Sequence, residues 1–195
     1  MGAANRAREA GLIACRRVIQ AAGSAIRAIH RQRPERVTVG LGESLAALRQ
    51  AQEALRPYPR VAYAGFLHDA EKEYAEAVLT AALVDGTPIP SHTDLGVESP
   101  AWLNGLAEAA SELRRHLLDR LREGDAGVAE NLLAAMDDVY EQLVAVDFPD
   151  AVTGGLRRTT DALRAVLERT RSDLTTTTLQ FRLQVALERS AGRDA

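Results

Sequence analysis

The sequence predicts an all-α fold, an antiparallel bundle of six to seven helices in a single domain over residues 1–195. Three observations carry that expectation. Apolar residues are 46% of the chain but aromatics only 4%, so the interior is built from Ala, Leu and Val, side chains that let helices approach closely. β-branched runs are limited to Val37-Thr38-Val39 and Thr175 to Thr178, which leaves almost no strand signal. Apolar residues recur in steps of three and four over long windows, the helical period.

The first helix is predicted over 4–33, with the seam Leu12, Cys15, Ile19, Ala22, Ile26 and Ile29 in coiled-coil-like steps. Pro34 ends it, and Gly40 and Gly42 mark a turn. A second helix covers 43–56 and stops at Pro57-Tyr58-Pro59. The third, over 61–84, has the seam Tyr63, Leu67, Ala70, Tyr74, Ala77, Ala81 and Val84, with Asp69, Glu73 and Glu76 along one flank of that stripe. Residues 85–100, with three prolines and two glycines, read as the longest loop. A fourth helix over 101–123 turns Leu103, Leu106, Ala110, Leu113 and Leu117 inward, and Gly124 suits its C-terminal turn. The fifth, over 126–146, carries Val128, Leu132, Met136, Val139, Leu143 and Val146 and breaks at Phe148-Pro149-Asp150. The last segment, over 151–189, has the seam Leu156, Leu163, Leu167, Thr170 and Leu174. Its threonine run leaves open one long helix or two, because β-branched residues lose rotamer freedom in helices. Apolar and alanine-rich stripes on more than one side of the long helices point to self-association.

Charge and composition exclude several classes. The net charge of −3 rules out a polycation, yet residues 1–36 hold eight arginines against Glu9 and Glu35. Lys72 is the sole lysine among 24 basic residues. Genomic base composition explains that bias as readily as phosphate recognition by the guanidinium fork does. Cys15 stands alone on an apolar heptad position, which excludes a disulfide framework or cysteine zinc site and fits an inert core residue. No apolar run follows the early arginines, and none approaches the ~20 residues that span a bilayer. A cytoplasmic protein without a membrane anchor is the expectation.

The chemistry concentrates in four glutamates. Glu73 and Glu76 are three apart on the third helix, and Glu108 and Glu112 are four apart on the fourth, so each pair shares a helix face. Either pair alone is commonly just a solvated face. Two pairs on packed helices are different, because like charges brought together are costly until a divalent cation reverses the sign. Ala70, Ala75, Ala77, Ala107, Ala109 and Ala110 leave room for the two helices to approach. Oxygen-only donors select Mg²⁺ or Mn²⁺ over zinc, and the absence of Glu-x-x-His argues against a di-iron bundle. Such a cluster fits Lewis-acid catalysis at phosphate. Around it, His30 with Arg27 and Arg31 makes a compact basic patch, and His68, Arg114 and Arg115 flank the acids. These six are candidate nucleic-acid-binding residues. Packing histidines and ordinary i,i+4 ion pairs are the alternative readings. No nucleophile elbow, Walker loop or GxGxxG occurs.

These segments resemble the translin family. Gly23 through Arg31, ending Ile-Arg-x-Ile-His-Arg, is similar to its first-helix signature. Phe66-Leu67-His68-Asp69-Ala70 running into Glu73-Tyr74-x-Glu76-Ala77 is similar to its third helix. Leu103-x-Gly105 through Glu112-Leu113-Arg114-Arg115, followed by Gly124-Asp125, is similar to the next long helix, and Leu156-Arg157-Arg158 with Asp161 to the closing one. The resemblance implies a subunit of a closed hollow oligomer, hexameric or octameric, possible with one chain type. In that family translin binds single-stranded RNA and DNA without the acidic cluster, whereas translin-associated factor X carries the cluster and is a Mg²⁺-dependent endoribonuclease. Glu73, Glu76, Glu108 and Glu112 match the catalytic partner, with Glu108 standing where factor X has an aspartate. The expected function is therefore Mg²⁺-dependent endoribonucleolysis of single-stranded RNA, the four glutamates holding the metal and serving catalysis. Two alternatives stand beside it: a non-catalytic subunit binding single-stranded RNA or DNA, and an all-α nucleotide pyrophosphohydrolase, which also pairs ExxE with a second acidic pair but at shorter spacing.

Overall fold

The computed structural model describes residues 2–191. Six long helices run through them: α1 (Gly2–His30), α2 (Pro34–Leu55), α4 (Phe66–Asp85), α6 (Ser99–Arg122), α7 (Ala126–Val144) and α9 (Leu156–Ala191). Three single turns, α3 (Pro59–Ala62), α5 (His92–Leu95) and α8 (Asp150–Thr153), lie in the links. No strand occurs among the described residues. The expected all-α bundle is what forms, with the three one-turn pieces added. Helix α4 packs between α1 and α6, and α6 continues onto α7 and α9, so α4 and α6 are central. Leu48, Leu55, Leu79, Leu113, Leu117, Met136 and Leu163 are the largest apolar side chains buried entirely. No described helix is long and apolar enough to cross a membrane.

Several boundaries differ from the sequence expectation, each for a local reason. Helix α2 begins at Pro34, not at residue 43. Proline is pre-organised for the first helical position, so Pro34 opens α2 after a short turn in which Gln32 takes φ 52°. Gly40 and Gly42 lie inside α2 rather than in a turn. Gly40 is there for contact: a Cβ would meet the Ala25 Cβ at 3.1 Å and the Ala21 carbonyl oxygen at 3.2 Å. The third expected helix starts only at Phe66, after Gly65 at φ 99° breaks the chain, which leaves Tyr63 81% exposed. The 85–100 link holds α5, started by a capping box between Ser91 and Asp94.

Helix α9 passes unbroken through Thr175–Thr178. The penalty for a β-branched residue is a few tenths of a kcal/mol, too small to stop a helix anchored by its neighbours. Upstream, Thr160 and Thr170 donate their hydroxyls back to the Leu156 and Val166 carbonyls at 2.8 and 2.7 Å. The α1 seam is also turned by one position. Val18 and Ala25 are buried, while Ile19 faces outward. Small residues fill the buried face, and at Ala21 and Ala25 they let Gly40 of α2 come close. In α7 the small Ala129 is buried in place of Val128 for the same reason.

A close backbone approach joins the two central helices. A Cβ on Gly105 of α6 would lie 2.9 Å from the Lys72 carbonyl oxygen and 3.0 Å from the Glu76 amide nitrogen of α4. These are backbone atoms, so the whole helix must yield. Gly105→Val is expected to lower unfolding free energy by roughly 1–3 kcal/mol, the range for an overpacked contact. Urea denaturation checks it, and an unchanged midpoint with an unchanged slope contradicts the contact.

Candidate metal centre

Close approach at Gly105 brings the acid-bearing faces of α4 and α6 together. Glu73 and Glu76 come from α4, and Glu108 comes from α6 one turn beyond Gly105. One carboxylate oxygen from each lies within 4.8 Å of the others. Glu76 is 8% exposed, and among the described residues it has neither an ion-pair partner nor an N–H donor. Burial, followed by the charges of Glu108, Glu73 and Glu112, pushes its pKa up to about 8. Glu73 is also raised, first by burial, with Lys72 opposing the shift.

Two basic side chains face these acids. Lys72 Nζ donates to Glu108 Oε1 at 2.8 Å and lies 3.7 Å from Glu73 Oε1. Burial works against its charge, but the Glu108 hydrogen bond and the surrounding carboxylates outweigh it, and its pKa is raised. On the other side, His30 Nε2 contacts Glu112 Oε2 at 2.6 Å. An ionised carboxylate only accepts, so that nitrogen carries the proton. The His30 side chain is 3% exposed and its Nδ1 is buried without a partner. Glu112 thus stands at the edge of the trio, turned toward α1 by His30 and near enough to raise the Glu76 pKa.

The arrangement fits a hard dication. Three carboxylates converge, the most buried one has no N–H donor among the described residues, and every ligand atom on offer is oxygen, the donor set of Mg²⁺ or Mn²⁺.

The other sequence candidates are dispersed. Arg27 and Arg31 are exposed and, with Ser24, Arg33 and Arg36, line a recess of about 80 Å³ at the α1–α2 turn. Arg114 instead faces α9, donating to Asp173 at 2.7 Å and Thr170 at 3.1 Å. Arg115 is exposed. His68 packs beside Gly154, where a Cβ would meet its ring at 3.1 Å. Sequence reasoning missed Lys72 as a member of the cluster, and its position next to Glu73 was the available signal. It also missed His116 and Arg120, which continue the Glu108–Glu112 stripe at steps of four. They line a cavity of about 450 Å³ with Gln32 and Arg33. Burial, then the charges of Arg120 and His30, lowers the His116 pKa. Glu71 is buried too, but it accepts from Gln52 at 2.8 Å and from the Glu98 amide at 3.2 Å, which ties the α5–α6 link to α2. Cys15 is an inert core thiol as expected, its pKa pushed up to about 11 by burial.

Fold and site together define a translin-like helical bundle with carboxylates gathered between its central helices. No family model matches the chain. Solved structures do. AfC3PO, in a complex with duplex RNA, is 34% identical with a TM-score of 0.83, covering 90% of this chain and 91% of that one. AfC3PO alone matches equally well, at 34% identity and TM-score 0.83. Apo-NeC3PO, at 19% identity and TM-score 0.81, shares the fold over 89% of this chain and 90% of its own. Among curated proteins, an uncharacterized protein of Methanocaldococcus jannaschii is 30% identical over 128 residues, 65% of this chain. That match spans 57% of the curated relative's length. The chain belongs to the translin family.

The raised Glu76 pKa sets a pH dependence in metal-free buffer. Between the ordinary glutamate value of 4.5 and about 8, the folded protein holds a proton that the unfolded chain releases. Stability from this group is therefore greatest below that window and falls as pH rises through it. Glu76→Gln is expected to raise Tm at pH 8 in EDTA, by roughly 2–4 °C per kcal/mol of repulsion relieved, and to change little at pH 5. Differential scanning calorimetry at both pH values reads this. Equal shifts at the two would show that the carboxylate is not held in its neutral form.

Proposed function

We propose that this chain is a Mg²⁺-dependent endoribonuclease, with Mn²⁺ able to replace Mg²⁺, and that the α4–α6 acids form its site. One observation carries this reading: three glutamate oxygens within 4.8 Å of one another, in a chain 34% identical to a protein solved with duplex RNA. Glu73, Glu76 and Glu108 would hold the ion, and Glu112, oriented by His30, would complete the acidic wall. A bound dication supplies Lewis-acid activation of the phosphodiester. In the reaction a water oxygen bonds to phosphorus, the bond to the leaving oxygen breaks, and that oxygen takes up a proton.

Arg27 and Arg31, joined by Arg33 and Arg36, hold flanking phosphates, a use suited to the guanidinium fork. Because Glu76 is almost buried, the scissile phosphate must reach a recessed point, which a flexible single strand does more readily than a stiff duplex. With few aromatics for base stacking, sequence preference is weak. Outward apolar residues on α9, Leu179, Phe181, Leu183 and Leu187, each about 60% exposed, support assembly of several copies into a closed oligomer.

One observation favours a second reading, a non-catalytic RNA-binding subunit. Lys72 already places a cation among the acids, at 2.8 Å from Glu108, and so neutralises part of the cluster without metal.

Cleavage of end-labelled single-stranded and duplex RNA separates the two. In Mg²⁺ the wild type is expected to cut the single strand, EDTA to abolish cutting, and Glu76→Gln and Glu112→Ala each to slow it by about 100-fold or more, given that even residues behind metal ligands cost about 10–100-fold. Undiminished cutting in EDTA would sink the metal-dependent reading, and binding without any cutting supports the non-catalytic one.

Salt titration tests the phosphate contacts. Each contact to a single strand contributes about 0.7 to the slope of log affinity against log salt. Arg31→Ala is expected to lower the slope by about that amount. Arg114→Ala is expected to leave it unchanged, since Arg114 is engaged by Asp173.

A further inference from the structure

We propose that Lys72 is a resident counter-cation: its ammonium occupies the Glu73–Glu108 edge of the acidic cluster and competes with the incoming dication for the same oxygens, which sets how much metal the site requires. The inference rests on the metal reading above and adds a residue that works against it.

Geometry supports direct competition. Lys72 Nζ lies 2.8 Å from Glu108 Oε1 and 3.7 Å from Glu73 Oε1, and both residues also supply oxygens to the convergent trio. A carboxylate oxygen whose lone pairs serve an ammonium is a poorer ligand for an ion. The competitor is also able to move. Its side chain is 22% exposed, and a four-carbon stem on the α4 surface can carry the charge toward solvent without any backbone change. Among the described residues no third acceptor ties the ammonium down beyond these two carboxylates.

The residue type is informative as well. Of the 24 basic residues, 23 are arginine. Whatever drives that bias, the one exception falls inside the acidic cluster. A guanidinium would present a rigid fork able to grip two carboxylates at once, whereas an ammonium is a compact point charge on a flexible chain. Lysine is thus the basic side chain that can neutralise the acids while the ion is away and still leave. The electrostatics agree. Three carboxylates, one of them desolvated, carry a charge that the empty site must offset, and Glu112 has its own partner in His30. A singly charged ammonium relieves part of that repulsion and leaves a net negative site to attract a dication. The two cations then repel each other at short range.

Mn²⁺ binding to the full-length protein without RNA tests this, followed by the loss of free-ion electron paramagnetic resonance signal at pH 8. Removing the ammonium in Lys72→Met is expected to tighten Mn²⁺ binding by about tenfold or more, the size of losing a nearby like charge. Lys72→Arg is expected to weaken it. If Lys72→Met is unfolded without metal, the rise of Tm with Mn²⁺ concentration gives the same affinity, because a ligand that binds only the folded state stabilises it by mass action. The outcomes separate this inference from the metal reading. Wild-type binding with Lys72→Met no tighter overturns the competition and leaves the metal site standing. Binding by Lys72→Met but not by the wild type supports Lys72 as an occupant and overturns the metal reading for the native chain. Binding by neither overturns both.

Discussion

The contact between α4 and α6 at Gly105 is the constraint on which the site depends. A glycine there lets the backbone of one helix rest against that of the other, close to the Lys72 carbonyl and the Glu76 amide. Alanines at 75, 107 and 109, all fully buried, extend the close approach along the two helices. Larger residues would hold the helix axes farther apart, and the carboxylates one turn on would face water separately. Packing of small residues, a matter of core volume, is here what creates an electrostatic feature.

That feature is unfavourable by itself. Placing Glu76 in a nearly dry position beside Glu73 and Glu108 raises its pKa to about 8, which is stored repulsion. Hydrophobic burial in the surrounding bundle has to hold it in place. Functional sites commonly carry such a local cost, balanced by the scaffold. The protein sets two basic side chains of different character against it. The His30 side chain is buried and directed at Glu112; Lys72 is partly exposed and directed at Glu108. One orients an acid and the other screens a pair of them. This division explains why a histidine first read as part of a basic patch proves to be a partner for a glutamate.

Basic residues divide along similar lines. Arg114 looked like a companion of Glu112 because it is two positions away, but that spacing turns it to another helix face, where Asp173 of α9 receives it. Arg27 and Arg31 stay exposed and gain Arg33 and Arg36 as neighbours from the turn into α2. A group of exposed arginines therefore gathers at the α1–α2 corner. From there the His116–Arg120 cavity continues the stripe of α6 that begins with Glu108.

Sequence alone determined the helical class, a bundle of six to seven helices, most of their buried seams and the pairing of acids on two helix faces, because period, proline and glycine are local signals that survive any tertiary arrangement. Residues such as Leu113, Leu117, Leu132 and Leu163 could be assigned inward from spacing alone. Where one local signal had two meanings, tertiary contact decided. Pro34 starts a helix as readily as it ends one, Gly40 serves a close contact as well as a turn, and a threonine run is helical once a buried neighbour anchors it. Only the fold could decide which oxygens meet, that Glu76 is the buried member of the trio, that Lys72 enters the cluster and that His30 holds Glu112. Those are distances between residues tens of positions apart, set by how closely two helices pack, and no local pattern encodes them.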